Sequence, residues 1–465
     1  MGGGRSNSSE ARTVGLQGRR HKKGRSHKKV SAWGKGCLAV PLFYTLLFKS
    51  NMIKIIKNYK NNIEKEPIEM VERKGIGHPD TLSDLIAENF SNNYSKYCLD
   101  KFGYILNHWV DKVLLSGGTA KLDFGIAEIT RPITAYLFGR VTQTIGDEEI
   151  DVAGLFKKSV VEVLSNIFIG QKIIDHINYV IDVNQAIGKD HTKEFYFPKS
   201  GNEVKKCWDA LKCNDTVICS GYAPYSQLEK IVISLENYIN SKNFKKKFPE
   251  TGWDVKVMAM RAAHDTSIVV CLPFIARLTP SHEYYLKKME SAKKEINKKM
   301  IFEIKRLKSN LNITSLIINA RDQGKFAYLT VFGTALDKGD YGAVGRGNKY
   351  SGIISINRES NIEATSGKNP MNHSGKIYTI MANDIAWKIH GIIFGDVFVN
   401  IGAKIGDDIT NPDFVAIKCS KIINKSDEAK INKIVFITLN SAAKYYKKII
   451  SKDVIKNHTS NKLIV

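Results

Sequence analysis

The chain has 465 residues, 43% hydrophobic and 25% charged, which is the balance of a soluble globular protein with room for several cores. Its formal net charge of +24 is uneven: residues 1–65 hold fifteen Lys or Arg against Glu10 and Glu64, so over half of the excess is a tail property and does not by itself imply a nucleic-acid partner. The seven cysteines are scattered without C-x-x-C or zinc-ligand spacing, which excludes a zinc ribbon and points to a reduced, intracellular, cytoplasmic protein.

Residues 1–36 are rich in Gly, Ser, Arg, Lys and His and are expected to be disordered. The apolar run from Cys37 to Phe48 is too short to cross a bilayer. Basic residues before a short apolar run have the outline of a targeting signal, but no A-x-A-like cleavage site follows; the other reading is a non-functional extension with Met52 the natural start. Residues 1–65 are therefore set apart as a basic extension and residues 66–465 as the folded region.

A helix is expected from Pro79 to about Lys96, because Leu82, Leu85, Ile86 and Phe90 recur at helical spacing and Pro suits the first helical position. Strands are expected at Tyr104–Leu106, Lys112–Leu115 and Ile133–Phe138, then a helix over Val152–Phe168, an extended segment over Lys172–Val183 and a loop over Thr192–Asp209. Gln227–Tyr238 and Tyr284–Leu311 read as helices flanking a strand pair, Asp254–Met260 and Thr266–Leu272. Further strands are expected at Ser315–Asn319, Phe326–Phe332, Ile353–Ile356, Val397–Ile401 and Phe414–Cys419, with a helix over Gly375–His390. Asp427–Ser451 reads as a strand followed by a helix. Strands and helices in uneven groups with hairpin-like pairs indicate an α+β fold with antiparallel or mixed sheets.

Chemistry-bearing residues cluster in a few stretches. The first is Glu72-Arg-Lys-Gly-Ile-Gly-His78-Pro-Asp80, where His78 caps a helix start that favours an anion and Asp80 and Asp84 lie one turn apart. Asn214-Asp215-Thr216 leads into Gly221-Tyr-Ala-Pro224, and Asp254-Val255-Lys256 puts two charges on one strand face. Gly339-Asp340-Tyr-Gly342-Ala-Val-Gly345-Arg346-Gly-Asn348 combines an anion-binding glycine loop with a carboxylate and a guanidinium. Thr365-Ser-Gly-Lys368-Asn369-Pro-Met-Asn-His373-Ser-Gly-Lys376 has two Gly-Lys pairs just ahead of a helix. Neither G-x-G-x-x-G nor G-x-x-x-x-G-K-[ST] occurs, so Rossmann and P-loop readings are unsupported. Together the stretches read as a metal–polyphosphate site.

In this order and spacing, GIGHPD, NDT…GYAP, DVKVM, GDYGAVGRGN and SGKNPMNHSGKIY resemble the methionine adenosyltransferase (S-adenosylmethionine synthetase) family, archaeal type, over about Glu66 to the C-terminus. The resemblance implies three similar interleaved α+β domains and a homodimer with active sites at its interface. It implies synthesis of S-adenosylmethionine from ATP and L-methionine, the tripolyphosphate being released and hydrolysed to phosphate and diphosphate. It implies Mg²⁺ and K⁺ as cofactors. The residues it assigns are His78, Lys256 and Arg346 for catalysis; Asp215, Gly342, Arg346, Lys368, Asn369 and Lys376 for substrate and ATP; and Asp80, Asp340 and Glu72 for metal. Departures are Gly347 where bacterial relatives have Lys, Thr119 where they have Glu, His108-Trp-Val-Asp111 for the archaeal His-Asn-Thr-Asp, and the segment around Gly188-Lys189-Asp190. The alternative is a basic nucleic-acid-binding protein on a degenerate synthetase fold, acting through the tail.

Overall fold

Three mixed β-sheets carry the chain in the computed structural model, which describes residues 52–460 apart from 60, 61, 186–192, 210, 323 and 362. The helices in chain order are α1 (Pro79–Phe102), α2 (Val152–Ile167), α3 (Gly201–Asp209), α4 (Gln227–Ile239), α5 (Lys242–Lys247), α6 (His282–Leu307), α7 (Ser374–Ile393), α8 (Lys425–Asn440), α9 (Ala442–Ile450) and α10 (Val454–Ser460). One sheet orders its strands as Ile53–Ile56, Phe414–Cys419, Val397–Ala403 and Val217–Ala223, with α7 packed on it. A second runs Asn312–Ile318, Asp265–Cys271, Lys256–Ala262, Ile68–Lys74 and Ile354–Ser355, packed by α4 and α6. The third runs Tyr341–Ala343, His108–Ser116, Ile133–Val141 and Ile177–Asn184, packed by α1 and α2. Each sheet mixes one parallel pairing with antiparallel ones, and the chain visits the sheets in turn, so the strands are interleaved in sequence as expected.

The third sheet shows how alternation makes a core. Val113, Leu115, Ala135 and Leu137 are buried and join Leu82, Ile86, Phe90 and Tyr94 of α1 in one cluster. The other face of the same strands carries Leu114 and Val180, 40% and 41% exposed, beside a stacked Tyr136–Phe138 pair. The second sheet repeats the pattern, with Val257 and Ala259 buried and Ile68, Met260 and Ile317 exposed.

Several expectations are corrected. Ile53–Ile56 is a strand in parallel register with Val415–Lys418, so ordered structure begins ahead of the boundary drawn at residue 66, while residues 1–51 lie outside the described ones. Tyr104–Leu106 lies before the strand that starts at His108. Within Thr192–Asp209 the chain forms α3, in which Val204 and Trp208 are buried one turn apart. Only Leu329–Thr330 of Phe326–Phe332 is strand. Asp427–Ser451 is helical throughout its two segments, α8 and α9.

The second sheet is tied to its neighbours by Arg73, whose guanidinium is fully buried: Nε donates to Glu236 Oε2 at 2.6 Å, and Nη2 to Asn237 Oδ1 and the His458 carbonyl. Replacing Glu236 with Ala leaves that charge buried without its counter-ion. Denaturant unfolding is expected to show a loss of about 3–5 kcal/mol, and a loss under about 1 kcal/mol would contradict this reading.

Candidate functional site

The strand Ile68–Lys74 runs through Gly75 and Gly77, whose N–H groups donate to the Val255 and Trp253 carbonyls, into the first turn of α1. His78 is the N-cap: its Nδ1 accepts from the Asp80 N–H at 3.2 Å. A ring that accepts at Nδ1 keeps its proton on Nε2. Burial, followed by the Lys74 and Lys256 ammoniums, pushes the His78 pKa down to about 4 against an opposing pull from Asp80, so the ring is a neutral donor at physiological pH.

Asp80 and Asp84 grip the glycine loop that arrives more than 250 residues later. Asp80 Oδ1 accepts from the Ala343 N–H at 3.0 Å, and Asp84 Oδ1 from the Gly345 N–H at 2.7 Å. The approach is close enough to demand glycine, since a Cβ on Gly342 would lie 2.1 Å from the Pro79 carbonyl and one on Gly347 2.1 Å from Asp84 Oδ2. Burial raises the Asp84 pKa to about 7 against the backbone donors of the loop. Lys74 Nζ closes the cluster, 2.9 Å from Asp80 Oδ2 and 2.6 Å from the Arg346 carbonyl, while Asn348 exchanges hydrogen bonds with the Lys74 backbone.

Beside this cluster opens a cleft of about 600 Å³ lined by His78, Asp254, Lys256, Tyr328, Lys338 and Asp340. Lys256 stands opposite Lys74 in the strand register, with its Nζ 3.8 Å from Glu72 Oε1. Asp254 precedes the strand Lys256–Ala262, accepts from the Ala335 N–H at 2.9 Å, and is pushed to about 7 by burial, with Asp340 adding to the rise. Arg346 and Asp340 are exposed.

A second cleft of about 620 Å³ shares no lining residue with the first and gathers Asp215, Lys368, His373, Glu363, Arg140 and Trp109. Its construction echoes the first, for His373 caps α7 with Nδ1 accepting from the Lys376 N–H at 3.4 Å. Lys368, nearly fully buried, pairs with Glu363, and the exposed Asp215 caps the Thr216 N–H.

The residues assigned from sequence thus separate. His78, Lys256 and Asp340 line the first cleft, and Glu72, Asp80 and Arg346 stand next to it through Lys256 and Lys74. Asp215 and Lys368 line the second. Six assigned positions line neither: the three just placed beside the first cleft, and three that are buried. Gly342 is buried against α1. Asn369 is buried with Nδ2 donating to the Leu106 carbonyl and Oδ1 accepting from the Met371 N–H. Lys376 is buried with Nζ on Glu88 Oε2 at 2.7 Å and on the Lys368 carbonyl at 2.8 Å. Sequence reasoning missed Lys74, Tyr328 and Lys338; Lys74 was present in the first stretch and Lys338 two residues before Asp340. Asp111 and residues 188–190 have no side-chain description. Among the described residues no three His, Cys, Asp or Glu side chains converge as a ready metal cage.

The sequence profile of the family described as S-adenosylmethionine synthetase (AdoMet synthetase) matches residues 51–453. An S-adenosylmethionine synthase of Aeropyrum pernix is 34% identical over 405 residues, covering 84% of this chain and 96% of the relative. One of Saccharolobus islandicus is 36% identical over 368 residues, covering 77% and 87%. A solved structure described as an unusual S-adenosylmethionine synthetase from Campylobacter jejuni aligns with 86% of the chain at 16% identity and a TM-score of 0.49.

Because the folded-state pKa of His78 lies below its ordinary value of 6.5, the folded state binds fewer protons there, and the associated stability is present above pH 6.5 and lost as the pH falls towards 4. Between pH 7.5 and 4.5, His78→Gln is expected to lose less unfolding free energy than the wild-type chain, by on the order of 1–3 kcal/mol. Parallel pH profiles in denaturant unfolding would contradict the burial of a neutral ring.

Proposed function

The chain belongs to the S-adenosylmethionine synthetase family and makes S-adenosylmethionine from ATP and L-methionine, and we propose that its two clefts are complementary halves of one active site brought together in a homodimer. The observation that carries the proposal is the separation itself. Polyphosphate-type groups stand at the first cleft, and Asp215 with Lys368 at the second, with no lining residue in common. The partly exposed apolar faces bearing Leu114, Tyr136, Phe138 and Val180, and Ile68 and Met260, are surfaces that such an assembly would cover.

In the reaction, methionine sulfur attacks the ribose C5′ and the whole tripolyphosphate departs. A thioether needs no general base, so the protein's work is to stabilise charge that develops on the leaving oxygens. His78 would donate its Nε2 proton in a hydrogen bond to the oxygen bridging C5′ and the α-phosphorus, a role that its neutral state fits. Lys256 and Arg346 would hold the phosphates, with Lys74 close by. Asp215 and Lys368 would hold the methionine and nucleoside end. The same cations then retain the tripolyphosphate while water cleaves it to phosphate and diphosphate.

Mg²⁺ would supply neutralising charge to the phosphates, held by Asp80 and Asp340. Asp340 lines the first cleft and Asp80 stands beside it on the His78 helix start, and carboxylate oxygens fit this ion, which shares its coordination with substrate oxygens and needs no complete protein cage. The ammonium already drawn to Asp80 Oδ2 marks that oxygen as a seat for positive charge. Glu72 would stand near K⁺. The free thiols of Cys98, Cys207, Cys213, Cys219, Cys271 and Cys419 fit a reducing, cytoplasmic setting, and among the described residues no helix is long and apolar enough to cross a membrane. The nucleic-acid alternative has no support beyond the basic tail.

His78→Ala and Asp80→Asn are each expected to lower kcat by about 10²–10³-fold with an unchanged folded circular dichroism spectrum; near wild-type turnover in either would contradict the roles given. The dimer is tested by co-expressing Lys256→Ala with Asp215→Asn. If the halves come from different protomers, mixed dimers contain one intact site and the pool recovers about a quarter of wild-type activity. Absence of recovery in verified mixed dimers would sink the shared site.

A further inference from the structure

A third, smaller cavity of about 200 Å³ shares no lining residue with either cleft and is walled by the inner face of α1, the segment 348–352, α7 and the C-terminal residues 449–458. Its closing wall includes α10, which follows the last residue of the family match at 453. The His458 carbonyl anchors that wall to the buried Arg73 guanidinium at 2.8 Å. Two polar side-chain atoms in the lining are buried without a hydrogen-bond partner, Asn92 Oδ1 and His458 Nε2, and Asn92 is only 2% exposed. Unsatisfied polar atoms around a space of this size call for an occupant.

The charges indicate which. Arg73 is matched by Glu236 and Lys376 by Glu88, and Asp84 faces the Gly345 N–H. Among the described residues, Lys452 and Lys349 have no carboxylate within ion-pair distance, so the lining carries an excess of positive charge. Hydroxyls of Ser351, Thr365 and Ser366 complete a polar wall. Burial pushes the Lys452 pKa down to about 8, with Lys448 adding and Asp384 opposing, and burial likewise lowers Lys376 against Glu88 and lowers His458, as in a desolvated cavity.

We propose that this cavity is a binding site for one small tetrahedral oxyanion, orthophosphate or sulfate, seated between the Lys452 ammonium, the His458 ring and the Asn92 amide, which presents its N–H₂ after rotation. The anion would join α1, which carries His78 and Asp80, to the segment following Arg346 and to the C-terminal helix. The inference rests on the cavity alone and not on the residue roles given above.

Inorganic phosphate is titrated into the full-length chain against chloride at equal ionic strength, with Tm as the readout. Phosphate is expected to raise Tm by about 2–5 °C. With Lys256→Ala weakening phosphate binding in the first cleft, that chain is expected to keep the increment, and Lys452→Met or, as a second variant that preserves cavity shape, Asn92→Asp added to it is expected to remove it. An increment that survives in either cavity variant shown to be folded by circular dichroism would overturn the proposal. So would loss of the increment in Lys256→Ala, or its absence from the wild-type chain.

Discussion

The grip of the first two turns of α1 on the glycine loop is the constraint on which the rest of the site depends. Two carboxylates one helical turn apart accept from alternate backbone N–H groups, Asp80 from Ala343 and Asp84 from Gly345. That contact fixes where Arg346 and Asp340 leave the loop relative to His78 on the helix. It also explains the glycines, because the loop lies so close to α1 that a single Cβ at 342 or 347 would collide with it. The Asp84 carboxyl pays little desolvation cost when protonated and gains two backbone donors when charged, so it holds the loop across the neutral range.

The same economy of parts recurs at the second cleft. There, too, a histidine caps a helix and accepts at Nδ1 from a backbone N–H, as His373 does on α7. Each cap fixes its tautomer and leaves Nε2 as the donor, which suits recognition of anionic oxygen better than proton abstraction. Lys368 and Lys376 divide the work that their shared Gly-Lys pattern left undivided. Lys368 lines the cleft, while Lys376 is spent on Glu88 and on the Lys368 carbonyl, holding the segment in place. Support for the reactive residues therefore comes from neighbours in the same motif, which is why the motifs are longer than the chemistry alone requires.

Much of this was legible in the sequence, and the failures have physical causes. The long helices α1, α4, α6 and α7 stand where the sequence placed helices, α1 on the strength of its Pro79 start and apolar spacing. α8 was misread as a strand because its segment is rich in Ile, Val, Phe and Thr. Its acidic first turn behind Asn424 and the buried Ile431, Val435 and Leu439 at fourfold spacing identify a helix instead. At the site, the motifs gather chemistry-bearing residue types but carry no signal of which of them face outward. Asn369 and Gly342, both assigned to substrate, are buried within the chain, and nothing local distinguishes a support from a contact. Asp84 shares a helix face with Asp80, which by itself assigns it no role; its partner lies 261 positions away, a contact with no local signature. Likewise, the division of the assigned residues between two clefts is a property of the three interleaved sheets and is invisible along the chain.

The central claim is that this arrangement stabilises a departing tripolyphosphate while sulfur attacks carbon, and the most direct measurement is a product assay on the purified chain. With ATP, L-methionine, Mg²⁺ and K⁺, the account predicts S-adenosylmethionine, phosphate and diphosphate in equal amounts, with no free tripolyphosphate accumulating at steady state. A folded protein that forms no S-adenosylmethionine, or that releases phosphate from ATP without consuming methionine, would contradict it.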